Sequence, residues 1–217
     1  MTKLHRTTGL AALALTLSLG VAACGSDDNG STVSDATSTP AASTPAESPT
    51  TDTSTEAADA GAQTFGPGCA LIPADGAGSF NGMATEPVAT AASANPLLTT
   101  LVTAVGKAGL VDTLNSADGI TVFAPTDDAF AKIPAKDLKA VLKDKKTLTS
   151  ILTHHVVAGQ LSPDQLAGEH ETLNGDTITV KGSGEDFTVG AENAAVLCGN
   201  IPTANATVYV IDTVLMP

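Results

Sequence analysis

Two hydrophobic rhythms divide the chain. Across residues 87–153 apolar side chains return every three or four positions, the spacing of one helix face. Residues 87–94 are Ala-rich and read as a short helix. A second helix starts from Asn95-Pro96, with Pro96 near its first turn and Leu97, Leu98, Leu101, Val102 and Val105 at helical spacing. Gly106 and Gly109 bracket its end, and residues 110–114 add another helical turn. Leu138, Val141 and Leu142 give residues 134–142 an apolar face; Leu148, Ile151 and Leu152 do the same for residues 147–153, which run into Val156-Val157. Beyond Val157 the period shortens. Residues 171–180 read as two strands around Asn174-Gly175, a strong hairpin signal. Gly182-Ser183-Gly184 makes a further turn, and residues 187–189, 194–197 and 207–214 complete the strands. Between the two regimes Ser162-Pro163-Asp164-Gln165 has the form of a capping box with Pro at the first helical position. Helices first and strands after predict an α+β domain rather than a doubly wound parallel sheet.

The segment 121–130 joins both kinds of element. Ile120, Val122 and Phe123 are β-branched or aromatic and predict a strand. Pro125 cannot donate to a ladder and holds Ala124 extended, so the strand stops there. Thr126 is placed to cap a helix whose first turn carries Asp127 and Asp128, where negative charge meets the positive end of the helix dipole.

The chain's first residues are read apart from the fold. Lys3, His5 and Arg6 precede an apolar run over residues 10–21, too short for a comfortable membrane span, which ends in Val21-Ala22-Ala23-Cys24. Small residues before a cysteine have the form of a bacterial lipobox, so residues 1–23 are expected to be a lipoprotein signal peptide and Cys24 the lipidated first residue of the mature chain. The alternative is an ordinary secretory signal. Two acyl chains on Cys24 would be enough for stable anchoring. Residues 24–63 form a Ser, Thr, Ala, Pro and acidic stretch with no Lys or Arg, too poor in apolar surface to offset ordering entropy, and are expected to be a disordered acidic linker. Residues 64–217 then make one domain.

Cysteine and charge narrow the chemistry. Cys69 and Cys198 lie at the two ends of that domain, and an even pair in an exported fold reads as a disulfide, with two free thiols as the alternative. A metal site needs more ligands of suitable spacing than these cysteines supply, and none is expected. Residues 64–217 carry eight Lys, no Arg and sixteen Asp or Glu, a net of −8. This disfavours nucleic acid, and an anionic membrane surface would repel the domain. The one basic concentration, Lys132, Lys136, Lys139, Lys143, Lys145 and Lys146, reads as a solvated helix face paired with Asp137 and Asp144.

Four stretches, taken in order, resemble the fasciclin domain. They are residues 121–130 at its first signature box, Leu152-Thr153-His154-His155-Val156-Val157 at its central Tyr-His motif, Leu173-Asn174-Gly175 at its hairpin, and residues 205–217 at its second box. The lipobox, acidic tail and Gly66-Pro67-Gly68-Cys69 start are similar to actinobacterial and mycobacterial fasciclin lipoproteins that include cell-surface antigens. The resemblance implies a wedge of two β-sheets decorated by helices, no cofactor, and adhesion at the cell surface. His154 stands where the family has tyrosine, which weakens a direct integrin reading. His154, His155 and Asp212 are the residues of an adhesion or structural motif that the resemblance singles out.

A binding module is therefore expected: a monomer tethered to a membrane by lipid, exposed on the extracytoplasmic side or released, with a matrix protein or cell-surface glycan as partner. A carrier of a small apolar ligand or lipid, held between helices and sheet, is the alternative. Catalysis is not expected. Ser150, His155 and Asp212 are the available nucleophile, base and acid, but no Gly-x-Ser-x-Gly elbow or His-Glu-x-x-His run accompanies them. A buried His155 bonded to nearby backbone is the simpler expectation, and adjacent histidines in a strand would point to opposite faces and chelate poorly.

Overall fold

The computed structural model describes residues 59–217. The expected signal peptide, the lipidation site Cys24 and most of the expected linker lie outside the described residues. The described residues start with a turn, Asp59 to Thr64, in which the Ala60 N–H donates to Asn81 and the Gln63 carbonyl accepts from Asn200.

Four short helices come first: α1 (Phe80–Ala84), α2 (Val88–Ala94), α3 (Thr99–Ala108) and α4 (Val111–Ser116). Strand β1 (Ile120–Pro125) follows, then α5 (Asp127–Ala131), α6 (Ala135–Val141) and α7 (Lys145–His154). Strand β2 (Val156–Ala158) and the one-turn helix α8 (Pro163–Leu166) lead into β3 (Gly168–Glu171), β4 (Thr177–Ser183), β5 (Asp186–Val189), β6 (Ala194–Pro202) and β7 (Ala206–Ile211). The strands align in the order β2-β1-β7-β6-β5-β4-β3. All neighbouring pairs are antiparallel except β1 and β7, which run parallel from Ile120↔Ala206 to Pro125↔Ile211.

The predicted wedge of two sheets is built from this single order. β6 is shared by both halves, and its register against β7 slips twice, between Val196 and Cys198 and again before Ile201. Such irregularities bend a strand and increase its twist. The bend brings the outermost strands back together: Val157 of β2 bridges Thr172, just past β3, and the Leu173 N–H donates to the Val156 carbonyl. An exposed sheet edge is thereby shortened, which limits strand-to-strand aggregation.

β1 and β7 are buried on both faces, which explains their near-continuous apolar sequence. Ile120, Val122, Ala124, Ala206, Val208 and Val210 pack with the helices in one core. Phe123, Tyr209 and Ile211 turn the other way, into a second core enclosed by the bent sheet. The chain has only five Phe and one Tyr, and four of these six, Phe65, Phe123, Phe187 and Tyr209, gather in that second core with ring centroids 5.6–6.2 Å apart. Phe65 lies directly over Gly199, where a Cβ would come within 2.3 Å of the ring, so only glycine fits. Next to it Cys69 and Cys198 are joined by a disulfide across 129 residues of sequence. Ring and disulfide together fasten the N-terminal extension to β6.

Two local readings are corrected. The helix expected from Asn95-Pro96 begins only at Thr99, because Asn95 is buried and its side-chain oxygen accepts from Leu97, forming an Asx turn before the helix. The hairpin at Asn174-Gly175 is present, but its loop spans five residues, 172–176, rather than two. The Thr172 N–H bonds the Asp176 carbonyl, and Gly175 supplies the positive φ of 86° the loop needs.

Candidate functional site

Asp212 apart, the polar residues that drew notice in the sequence lie in three places, and in each the fold has engaged them.

The first is the end of α7. His154 is its last residue and His155 its C-cap, both in helical backbone rather than in a strand as expected. The rings still diverge, with centroids 6.4 Å apart and planes at 89°. His155 is buried in the helix-side core. Its Nδ1 lies 2.8 Å from the Ile151 carbonyl one turn back, and its Nε2 lies 3.0 Å from the Leu215 N–H. A carbonyl only accepts and an N–H only donates, so the ring is the neutral Nδ1–H tautomer with both nitrogens used. Burial lowers its pKa to about 4; the Ile151 bond opposes the shift and neighbouring His154 adds to it. His155 thus pins the C-terminal segment to α7.

His154 points to the hairpin instead. Its Nδ1 is 2.8 Å from Asp176, which also accepts from the Thr172 hydroxyl and, at 2.8 Å, from the Asn174 amide. Ser150 closes the network with a 2.9 Å bond to Asn174. Partial burial works to raise the Asp176 pKa, but the bonds from Thr172, His154 and Asn174 outweigh it and hold the carboxyl down at about 2.

Asp212, the third residue of the expected motif, lies on another part of the surface. It accepts from the Ala195 N–H at 2.8 Å and the Thr213 hydroxyl at 2.9 Å, and pairs with Lys132 at 2.9 Å. Desolvation is outweighed by Lys132 and these two donors, so its pKa is lowered. Ser150, His155 and Asp212 therefore form no relay. The histidine has no free nitrogen, the serine bonds an asparagine, and the aspartate is held by a lysine.

The second place is the segment 126–128. Thr126 caps α5 as expected, its hydroxyl accepting from Ala129 at 3.2 Å. Asp127 does something the sequence did not reveal. Its carboxylate reaches across to α3, whose N-cap Leu98 offers no side-chain acceptor, and takes the Thr100 N–H at 2.7 Å and the Thr99 hydroxyl. Burial acts to raise its pKa, and the bonds from Thr99 and Thr100 outweigh it and lower it. Asp144 likewise serves as the N-cap of α7, accepting from the Lys146 and Thr147 N–H groups, and the Lys146 charge adds a smaller favourable contribution.

The third is Asn205, which opens the second signature stretch. Its side-chain oxygen accepts from Val88, while its amide nitrogen donates to the carbonyls of Leu114, Asn115 and Ala117. Oxygen and nitrogen together tie the start of β7 to α2 and to the end of α4. Among the described residues no buried side-chain nitrogen or oxygen lacks a partner, and no group of three metal-ligating side chains is found.

A cavity of about 60 Å³ lies between helices and sheet, lined by Val88, Leu98, Leu101, Val122 and Val210 with His155 and Thr203 at its margin. An apolar cavity of about 150 Å³ is enough for benzene. This one is smaller, so an acyl chain would enter only if the helices moved.

The architecture is that of an α+β module with its helices packed against a bent sheet. Residues 96–217 match the Fasciclin domain model, and the chain belongs to the fasciclin domain family. It is 51% identical over 173 residues to the cell surface glycolipoproteins MPB83 of Mycobacterium bovis and MPT83 of Mycobacterium tuberculosis, covering 76% of this chain and 77% of theirs. It is 52% identical over 160 residues to the immunogenic protein MPB70 of Mycobacterium bovis, covering 70% of this chain and 81% of that one. Among solved structures, a FAS1 domain pair from the insect cell adhesion molecule Fasciclin I aligns with a TM-score of 0.46 at 23% identity, over 55% of this chain and 45% of that one.

Proposed function

We propose that this protein is a surface-exposed, lipid-anchored fasciclin module that binds a matrix protein or a cell-surface glycan. The observation that carries this reading is the commitment of the chemically capable side chains. His155, Ser150, Asp176, Asp127 and Asp212 are each bonded within the fold, which leaves a scaffold with exposed surface rather than a reaction centre. The similarity to mycobacterial cell surface glycolipoproteins supports the placement, and Cys24 after its apolar leader supports the anchor. Carriage of an apolar ligand is the weaker reading, because the cavity between helices and sheet is small.

The test has two arms. Cells expressing the full chain should incorporate labelled palmitate into it and display it to surface biotinylation, and Cys24→Ala should abolish the label and release the chain. The purified chain should bind at least one member of a panel of matrix proteins and wall glycans above an unrelated acidic domain. Absence of binding across the panel would overturn the adhesion reading, and palmitate retained by the Cys24 variant would overturn the anchor.

A further inference from the structure

The lysines of α6 and α7 form the concentrated positive surface of an otherwise acidic domain, and outnumber the two carboxylates, Asp137 and Asp144, that share their segments. Lys136, Lys139 and Lys143 fall at i, i+3 and i+7, on one side of α6 and its continuation, opposite Leu138, Val141 and Leu142. Lys145 and Lys146 follow at the start of α7. All five are exposed, and among the described residues none forms an ion pair; the Lys132–Asp212 bridge is separate. Asp144 is turned to capping α7, and Asp137 makes no salt bridge. Lys145 extends beside Gly109, the C-cap of α3, where carbonyl dipoles favour a cation and fix its position.

Beside Lys145 and Lys146 lies a shallow, widely open groove bordered by Thr149, Ser150, Thr153 and Asn174. Ser150, Thr153 and Asn174 already bond within the fold, which fixes Asn174 in place and leaves mainly aliphatic surface between the lysines. Such a lining offers ammonium groups for anionic substituents and aliphatic surface for the faces of sugar rings. It suits a protein partner poorly, because protein interfaces favour aromatic residues and Arg at their core and are depleted in Lys. An anionic bilayer is disfavoured because it would face the whole acidic domain, whereas a single polysaccharide strand meets only the lysine patch.

We propose that this groove and the adjoining α6 lysines bind an acidic polysaccharide, a chain of sugars bearing carboxylate or sulfate groups. The proposal rests on the adhesion reading above and assigns it a site and a ligand class.

Equilibrium binding of the full chain to heparin and to polygalacturonate tests it, with dextran, poly-L-glutamate and vesicles containing phosphatidylglycerol as comparisons. The expected result is binding to the two acidic polysaccharides that weakens steeply as salt rises from about 0.05 M to about 0.5 M, because the Debye length then shrinks to a few ångström. The combined variant Lys139→Gln, Lys143→Gln, Lys145→Gln, Lys146→Gln should lose affinity by about tenfold or more while keeping its circular dichroism melt. Lys181→Gln, which removes the same kind of charge on β4, should bind as before. Equal loss in both variants would overturn the site. Equal or tighter binding to poly-L-glutamate or to the vesicles would overturn the ligand class. A chain that binds matrix proteins but neither polysaccharide would overturn this proposal and leave the adhesion reading standing.

Discussion

His155 couples stability to pH in a window of its own. An unfolded histidine takes up a proton near pH 6.5, whereas the buried ring resists protonation until about pH 4. Between those values the unfolded chain binds more protons, so stability rises with pH: the contribution is full above about 6.5 and is lost as pH falls toward 4. Integrated over the window it reaches about 3 kcal/mol. Urea titrations at pH 7 and pH 5 should show a lower midpoint at pH 5, and His155→Gln should flatten the difference. The carboxylates act elsewhere. Asp176, with its pKa held at about 2, contributes stability that is lost only as pH falls below about 4.

Asp127 is the other residue with a measurable task. Removing the acceptor it lends to α3 with Asp127→Ala should cost about 1 kcal/mol, the usual loss for an N-cap, read from the urea midpoint. An unchanged midpoint would mean that water satisfies the Thr100 N–H equally well. The sequence showed that a carboxylate here meets a helix N-terminus. That helix is α5, whose first turn does carry Asp127; its second task at α3 was not legible, because capping by a residue 27 positions away is a property of packing and leaves no local signature.

At the scale of elements, legibility followed locality. β1, α5, α6 and the Ser162–Gln165 capping box were all readable, because their signals, a proline stop, a cap and an apolar face, lie within a few residues. β6 was longer than its apolar run predicted. It continues through Gly199 and Asn200 to Pro202, where pairing with β7 and the ring of Phe65 override weak strand preference. The hairpin loop was also longer, since Asp176 draws Thr172, Asn174 and His154 together. That network joins two elements, α7 and the loop between β3 and β4. Asp176→Ala should therefore cost about 1–3 kcal/mol and speed amide exchange first in residues 172–176, ahead of β1 and β7. Uniform acceleration across the sheet would contradict a local role.

For the molecule as a whole, the pairing of Cys69 with Cys198 is the covalent constraint that closes the described domain. Closing a loop of this length stabilises by about 5 kcal/mol in the chain-entropy model. The double variant Cys69→Ala, Cys198→Ala should lose a similar amount in denaturant unfolding at equal m-value, and its N-terminal extension should be the first part cut by a nonspecific protease. Loss of less than about 1 kcal/mol would show that Phe65 on Gly199 fastens the extension unaided. The candidate site was legible only in part. Single residues such as His155 could be weighed, but the groove beside Lys145 and Lys146 exists only because α7 and the Asn174 loop are folded against each other.

The central claim is that the conspicuous polar residues of this domain are spent on architecture, leaving function to the exposed surface. Nitrogen-15 NMR of the His155 imidazole from pH 7.5 to pH 5.5 tests it most directly. The account predicts a proton on Nδ1, none on Nε2, and no titration across that range. A ring that protonates near pH 6.5, or that carries its proton on Nε2, would be free for chemistry and would contradict it.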